Sequence, residues 1–146
     1  MDRRFKFHIT PEKGWMNDPN GLVFYKGEYH IFYQHYPNDV NWGPMHWGHV
    51  TSKDLINFKH APIALYPDLE DGCFSGTAIV EGDTLYLVYT SFFERDGEVK
   101  QLQSLAFSTD GYNFKKYGLI IGEDKLPKEY SSSDFRDPKI YKKGDE

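Results

Sequence analysis

The chain is short of sulfur, of long apolar runs and of positive charge. One cysteine, Cys73, stands in 146 residues. No disulfide can close within the chain, and a small disulfide-stapled scaffold is excluded. The longest apolar run is the five residues Leu85–Tyr89, far below the length that crosses a membrane as a helix. Lys and Arg number 17 against 22 Asp and Glu, a formal net charge of −5. That balance argues against a nucleic-acid binder, which needs a basic face for phosphates. Met1-Asp2-Arg3-Arg4-Phe5-Lys6 lacks the apolar stretch of a signal peptide. The expected location is the cytoplasm. Helical periodicity is also scarce. Thirteen Gly and eight Pro are scattered along the chain, and few stretches keep apolar residues at i, i+3, i+4 and i+7.

What is abundant is aromatic: 11 Tyr, 11 Phe and 3 Trp, 17% of the residues. Such residues suit a β-rich core. With an apolar face and a polar edge, they also suit a surface on which sugar rings stack. Composition does not choose between the two. Charged residues make up 27% and both signs are interspersed, so the chain reads as folded, with the length of one domain.

Strand signals dominate. Gly21–Tyr25 and Tyr29–Gln34 flank Lys26-Gly27-Glu28, and Thr77–Val80 and Thr84–Ser91 flank Glu81-Gly82-Asp83. Each reads as a hairpin. The similarity extends further. Ser52-Lys53-Asp54-Leu55-Ile56-Asn57-Phe58-Lys59 and Ser108-Thr109-Asp110-Gly111-Tyr112-Asn113-Phe114-Lys115 share Ser, Asp, Asn, Phe and Lys at an offset of 56. The Ser-x-Asp segment reads as a tight turn whose side chains bond nearby N–H groups. Asp137-Pro138 repeats the opening Asp18-Pro19. In the first unit, strands are expected near 21–25, 29–34, 46–51 and 58–60. Four antiparallel strands per unit, repeated, mark a β-propeller. The expected blades lie near 18–66 and 74–121, with a third starting at 137–146. A propeller closes with at least four blades. The expectation is therefore an all-β chain forming the N-terminal part, about two and a half blades, of a longer protein.

The first strand of a blade lines the propeller axis. Asn17-Asp18-Pro19, Phe74-Ser75-Gly76 and Arg136-Asp137-Pro138 all stand just before such strands. Asp18, Ser75 and Asp137 should thus converge on one end of one funnel. Proline disfavours the α region in the residue before it, so both aspartates are expected extended. Two carboxylates in one pocket are the ingredients of glycoside hydrolysis.

Trp15-Met16-Asn17-Asp18-Pro19-Asn20-Gly21 resembles the signature of glycoside hydrolase family 32, the invertases, inulinases, levanases and sucrose-6-phosphate hydrolases. Phe32-Tyr33-Gln34, the run Trp42–His49, Ser52-Lys53-Asp54-Leu55, Phe74-Ser75-Gly76 and Phe135-Arg136-Asp137-Pro138 resemble its other blocks, in order. The resemblance implies a five-bladed propeller, usually followed by a β-sandwich. The implied reaction is hydrolysis of terminal β-fructofuranosides with retention. It implies that Asp18 is the nucleophile and that Asp137, with Arg136 alongside, holds fructose hydroxyls and favours the oxocarbenium-like transition state. Trp15, Met16, Asn17, Gln34, Trp42, Phe74, Ser75 and Arg136 are the implied substrate-binding residues. The family's general acid is a Glu in a later Glu-Cys motif. Cys73 follows Gly72 and does not supply it. The expected partner is a small carbohydrate, sucrose or sucrose 6-phosphate, with no cofactor and with neither nucleic acid nor membrane.

Other readings compete. An exo-acting fructan hydrolase would share the fructosyl site. A non-catalytic sugar-binding propeller would not need Asp18 and Asp137 together. A sialidase would need several arginines around a carboxylate, and of Arg3, Arg4, Arg95 and Arg136 only the last is well placed. A metal site is not expected: neither Cys-x-x-Cys nor His-Glu-x-x-His occurs. His46 and His49 point to opposite faces of a strand and are expected to support the pocket wall.

Overall fold

Short β-prone runs separated by turns divide the chain into eight strands. A computed structural model describes residue 5 and residues 7–144. The first four strands are β1 (Trp15–Tyr25), β2 (Glu28–Tyr36), β3 (His46–Ser52) and β4 (Phe58–His60). The next four are β5 (Gly72–Glu81), β6 (Thr84–Arg95), β7 (Glu98–Ser108) and β8 (Lys115–Ile121). Each set forms one four-stranded antiparallel sheet in chain order. The segment 1–6, read above as lacking a signal peptide's apolar stretch, lies, apart from residue 5, outside the described residues.

The turns explain the meander. Lys26-Gly27 and Asp96-Gly97 both carry positive φ at two successive residues, the geometry of a two-residue hairpin whose twist matches its strands. Tyr25 accordingly faces Glu28, and Arg95 faces Glu98. The Ser-x-Asp turns repeat bond for bond. Leu55 N–H and Gly111 N–H each donate to the turn's serine Oγ at 2.9 Å. Asn57 N–H and Asn113 N–H donate to Asp54 and Asp110 Oδ1 at 2.7 Å. These bonds stabilise the ionised form and hold both aspartates well below the ordinary carboxylate pKa.

Leu85, Leu87 and Tyr89 of β6 point at the first sheet and bury against Phe32, Trp47 and Tyr25. The core lies between the two sheets. Trp47 is fully buried and its Nε1–H donates to the Phe74 carbonyl at 3.0 Å. β1 lies against β5. They approach so closely at Gly21 that a Cβ there would stand 3.1 Å from that of Ala78.

The turn of the second sheet reaches over the first. Gly111 has φ +83°, and a Cβ there would meet His30 Cε1 at 2.7 Å. Its counterpart Leu55 adopts φ +60° in the open. Gly111→Ala should cost about 2–4 kcal/mol, from left-handed strain plus overpacking. Leu55→Gly should change stability by less than about 1 kcal/mol, because relieved strain offsets glycine's entropy. Urea unfolding of both variants checks this, and equal effects would refute it.

Asp137–Gly144 forms no strand, unlike the opening expected for a third unit; residues 145–146 lie outside the described residues. A strand needs a ladder partner, and here the segment crosses the second sheet as a strap instead. Gln103 Nε2 donates to the Phe135 carbonyl at 2.8 Å, Asp137 N–H to Thr90 Oγ1 at 3.0 Å, and Lys142 Nζ to Glu81 at 2.9 Å.

Candidate active site

Two interruptions in strand register place the central groups. The pairing of β1 with β2 shifts between Met16 and Pro19, and that of β5 with β6 shifts between Phe74 and Gly76. Asp18 and Ser75 sit at these bulges, which turn side chains out of the regular alternation. They meet: Ser75 Oγ donates to Asp18 Oδ2 at 3.0 Å. The bond joins the two sheets at the rim of a cavity of about 210 Å³. That is below the range of pockets for drug-sized ligands and suits a small polar ring.

The cavity is lined by Asn17, Asp18, Gln34, Trp42, Phe74, Ser75, Arg136 and Asp137, together with Met45 and Gln101. Residues from both sheets and the strap thus share one wall. Trp42 is more than half exposed and meets Phe74 edge-on, with ring centroids 6.1 Å apart; Phe74 stacks on Phe92 at 4.4 Å. This row gives the cavity an aromatic side, while Tyr25, Phe32, Tyr33, Trp47 and Tyr89 are buried in the core. Gln34 is buried and its Nε2 donates to the Cys73 carbonyl at 3.0 Å, so the amide also ties β2 to β5.

Trp15 and Met16 are not among the lining residues. Trp15 acts one residue removed: its Nε1–H donates to Asn17 Oδ1 at 2.7 Å. The carbonyl end of the Asn17 amide is thereby held, leaving its N–H groups for other partners. Met16 packs on Ile31, Tyr33 and Val50, on the other side of β1 from Asn17, as strand alternation requires.

Asp137 departs from the extended geometry expected before proline. Its φ is +61°, a conformation Asp tolerates better than most residues. The bond from its N–H to Thr90 Oγ1 holds it there. Such strain, of order 1–3 kcal/mol, fixes where the carboxylate leaves the strap. Arg136 pairs with Asp134 at 2.7 Å and approaches Asp137 only to 3.9 Å. The guanidinium bridges two carboxylates and brings positive charge to an acidic mouth.

Met45 and Gln101 were not anticipated. Met45 lies in the Trp42–His49 run, and its carbonyl accepts the Cys73 N–H at 2.8 Å. Gln101 had one visible signal: Gln101 and Gln103 alternate along a strand otherwise apolar enough to be buried, and both are buried.

Behind the aromatic wall lies a polar cluster. Glu70 Oε1 accepts from Lys116 Nζ at 2.6 Å, from Cys73 Sγ at 3.1 Å and from the Tyr89 hydroxyl at 3.2 Å. Burial, with the Glu70 charge beside it, pushes the Cys73 thiol well above its usual pKa. It is a packed, inert thiol.

The histidines expected at the pocket wall lie elsewhere. His49 is buried between the sheets, stacked on Phe32 at 4.4 Å and hydrogen-bonded to His30 at 3.0 Å. Burial, with His30 adding to it, pushes its pKa down to about 3, so it is a neutral core residue. His46 meets Tyr66 edge-on at 5.4 Å. Among the described residues, no group of three or more His, Cys, Asp or Glu side chains is placed to hold a metal.

Known proteins resemble this chain over nearly all of its length. Residues 8–146 match the model of the glycosyl hydrolases family 32 N-terminal domain. A sucrose-6-phosphate hydrolase of Escherichia coli is 47% identical over 147 residues, covering 95% of this chain and 30% of the relative. A levanase of Bacillus subtilis is 45% identical, covering 96% of this chain and 21% of the relative. Among solved structures, a Bombyx mori GH32 beta-fructofuranosidase superposes with a TM-score of 0.85 at 51% identity, covering 97% of this chain and 30% of that one. A mutant of that enzyme was solved in complex with sucrose. The chain thus spans less than a third of the length of these relatives, and its two sheets correspond to part of a β-propeller. On the match over nearly all its length, the chain belongs to glycoside hydrolase family 32.

Proposed function

We propose that this chain supplies the nucleophile and the transition-state stabiliser of a retaining β-fructofuranosidase acting on sucrose or sucrose 6-phosphate. The observation that carries the reading is the pair Asp18 and Asp137. They are far apart in sequence, yet both line one small cavity with an aromatic side. A sugar-binding module would need the aromatic side without the carboxylate pair.

In the proposed reaction the Asp18 carboxylate attacks the anomeric carbon of the fructosyl unit as the bond to the leaving oxygen breaks. A general acid, supplied by a longer protein, protonates that oxygen. Water then opens the fructosyl-aspartate ester, and the former acid takes the water's proton. The Ser75 hydroxyl holds Asp18 in place with a charge-assisted bond. Asp137 faces the same space from the strap and would stabilise positive charge developing on the ring. Without the acid, the 146-residue chain alone should release fructose ~10²–10⁴-fold more slowly than the full-length protein.

Substrate size is the finer point. The cavity is small, and relatives named sucrose-6-phosphate hydrolase favour a short substrate; the levanase keeps a polymer as the alternative. The test is kcat/KM of the full-length protein on sucrose, sucrose 6-phosphate, inulin and levan. Either short substrate should lead. Preference for a polymer would reject the substrate choice alone, and no fructose from any of the four would reject the fructosidase reading.

A further inference from the structure

We infer that Gln101 is a specificity residue: its side-chain carbonyl accepts a hydroxyl of the sugar that leaves, on the far side of the scissile bond from the fructosyl unit. The inference rests on the fructosidase reading. Gln101 lines the cavity but is only 4% exposed, and its buried Oε1 has no hydrogen-bond partner. A buried acceptor left bare costs about 1–3 kcal/mol, so a ligand hydroxyl meeting it would be bound selectively. The amide's orientation is determined: Nε2 donates to the Ser133 carbonyl. A carbonyl accepts only, so the NH₂ group must face it and Oε1 is the end of the amide left without a partner.

The ladder says which sugar it meets. Phe74, Thr90 and Gln103 form one cross-strand row, and Gly72, Phe92 and Gln101 the next. Asp137 is tied to Thr90 in the first row. Gln101 therefore stands one side-chain step beyond the level of Asp137, about 7 Å along the strand. Ser75, bonded to Asp18, lies past Phe74 in the opposite direction along β5. A ring held between Asp18 and Asp137 leaves Gln101 for the next ring outward. Its neighbour Gln103 cannot do this, because its amide is used by Thr90 and Phe135.

The test compares sucrose with an aryl β-fructofuranoside, whose leaving group has no sugar hydroxyl, in the full-length protein. The readout is the ratio of kcat/KM on the two. Gln101→Leu should lower the ratio about tenfold, the worth of one hydrogen bond. Gln101→Glu keeps an acceptor oxygen but loses the donor to Ser133, and should keep the ratio within about threefold. An unchanged ratio in Gln101→Leu overturns the assignment. So does an equal fall in both variants, which would place the effect in the strap rather than in the acceptor. Wild-type protein that cleaves neither substrate overturns the fructosidase reading itself.

Discussion

Asp18→Asn in the full-length protein should slow fructose release from sucrose by about 10⁴-fold or more with little change in thermal stability. The amide is too weak a nucleophile to form the ester. It keeps an oxygen that can accept from Ser75 Oγ, the one side-chain bond Asp18 makes among the described residues. The bulge that carries Asp18 is held by backbone pairing of β1 with β2 on either side, so the charge is not needed for the fold. Steady-state rates and thermal melts of the two proteins check the prediction. Near-normal turnover would remove Asp18 from its role. A large loss of stability would mean that the lost activity reports misfolding.

Lys116→Met should destabilise the protein by about 3–5 kcal/mol, because it leaves a buried carboxylate without its cation. The Glu70 side chain is 4% exposed and that of Lys116 is 19% exposed, at 2.6 Å. Burial opposes the Lys116 charge, but the bonds to Asp68 and Glu70 and the Glu70 charge favour it, and the lysine pKa is raised. The double variant with Glu70→Gln should recover most of the loss, since a neutral amide can keep the bonds from Tyr89 and Cys73. Urea unfolding of the single and double variants checks this. A single variant within about 1 kcal/mol of the parent would show that water replaces the lysine.

What could be read in advance was local or periodic. Lys26-Gly27 and the two Ser-x-Asp turns contain their own geometry, because donors and acceptors lie within three residues of each other. Asp96-Gly97 carried the same strong hairpin signal and went unread. The repeat carried Asp18 and Ser75 to one place, since equivalent positions in stacked sheets face the same end. Conformations set by tertiary bonds could not be read. Asp137 is turned to positive φ by Thr90, 47 residues away, against its proline's own preference. Gln101 is left a bare acceptor because its Nε2 meets the carbonyl of Ser133, which lies 32 residues away in a short 3-10 helix. Met16 shows the limit of a motif. The block around Asp18 is contiguous in sequence, but a strand sends neighbouring side chains to opposite faces, and Met16 goes to the packing side.

The Ser75–Asp18 bond has a thermodynamic consequence. One partner belongs to the first sheet and the other to the second, while Asp137 arrives on the strap. A sugar that touches all three binds only when these parts are docked, so its binding energy also becomes docking energy. At a hundred times its dissociation constant, such a ligand adds about 2.7 kcal/mol to the docked state. Occupancy and assembly of the site are then one equilibrium: substrate acts as a clasp across the sheet boundary, and whatever loosens that boundary raises the concentration at which the clasp closes.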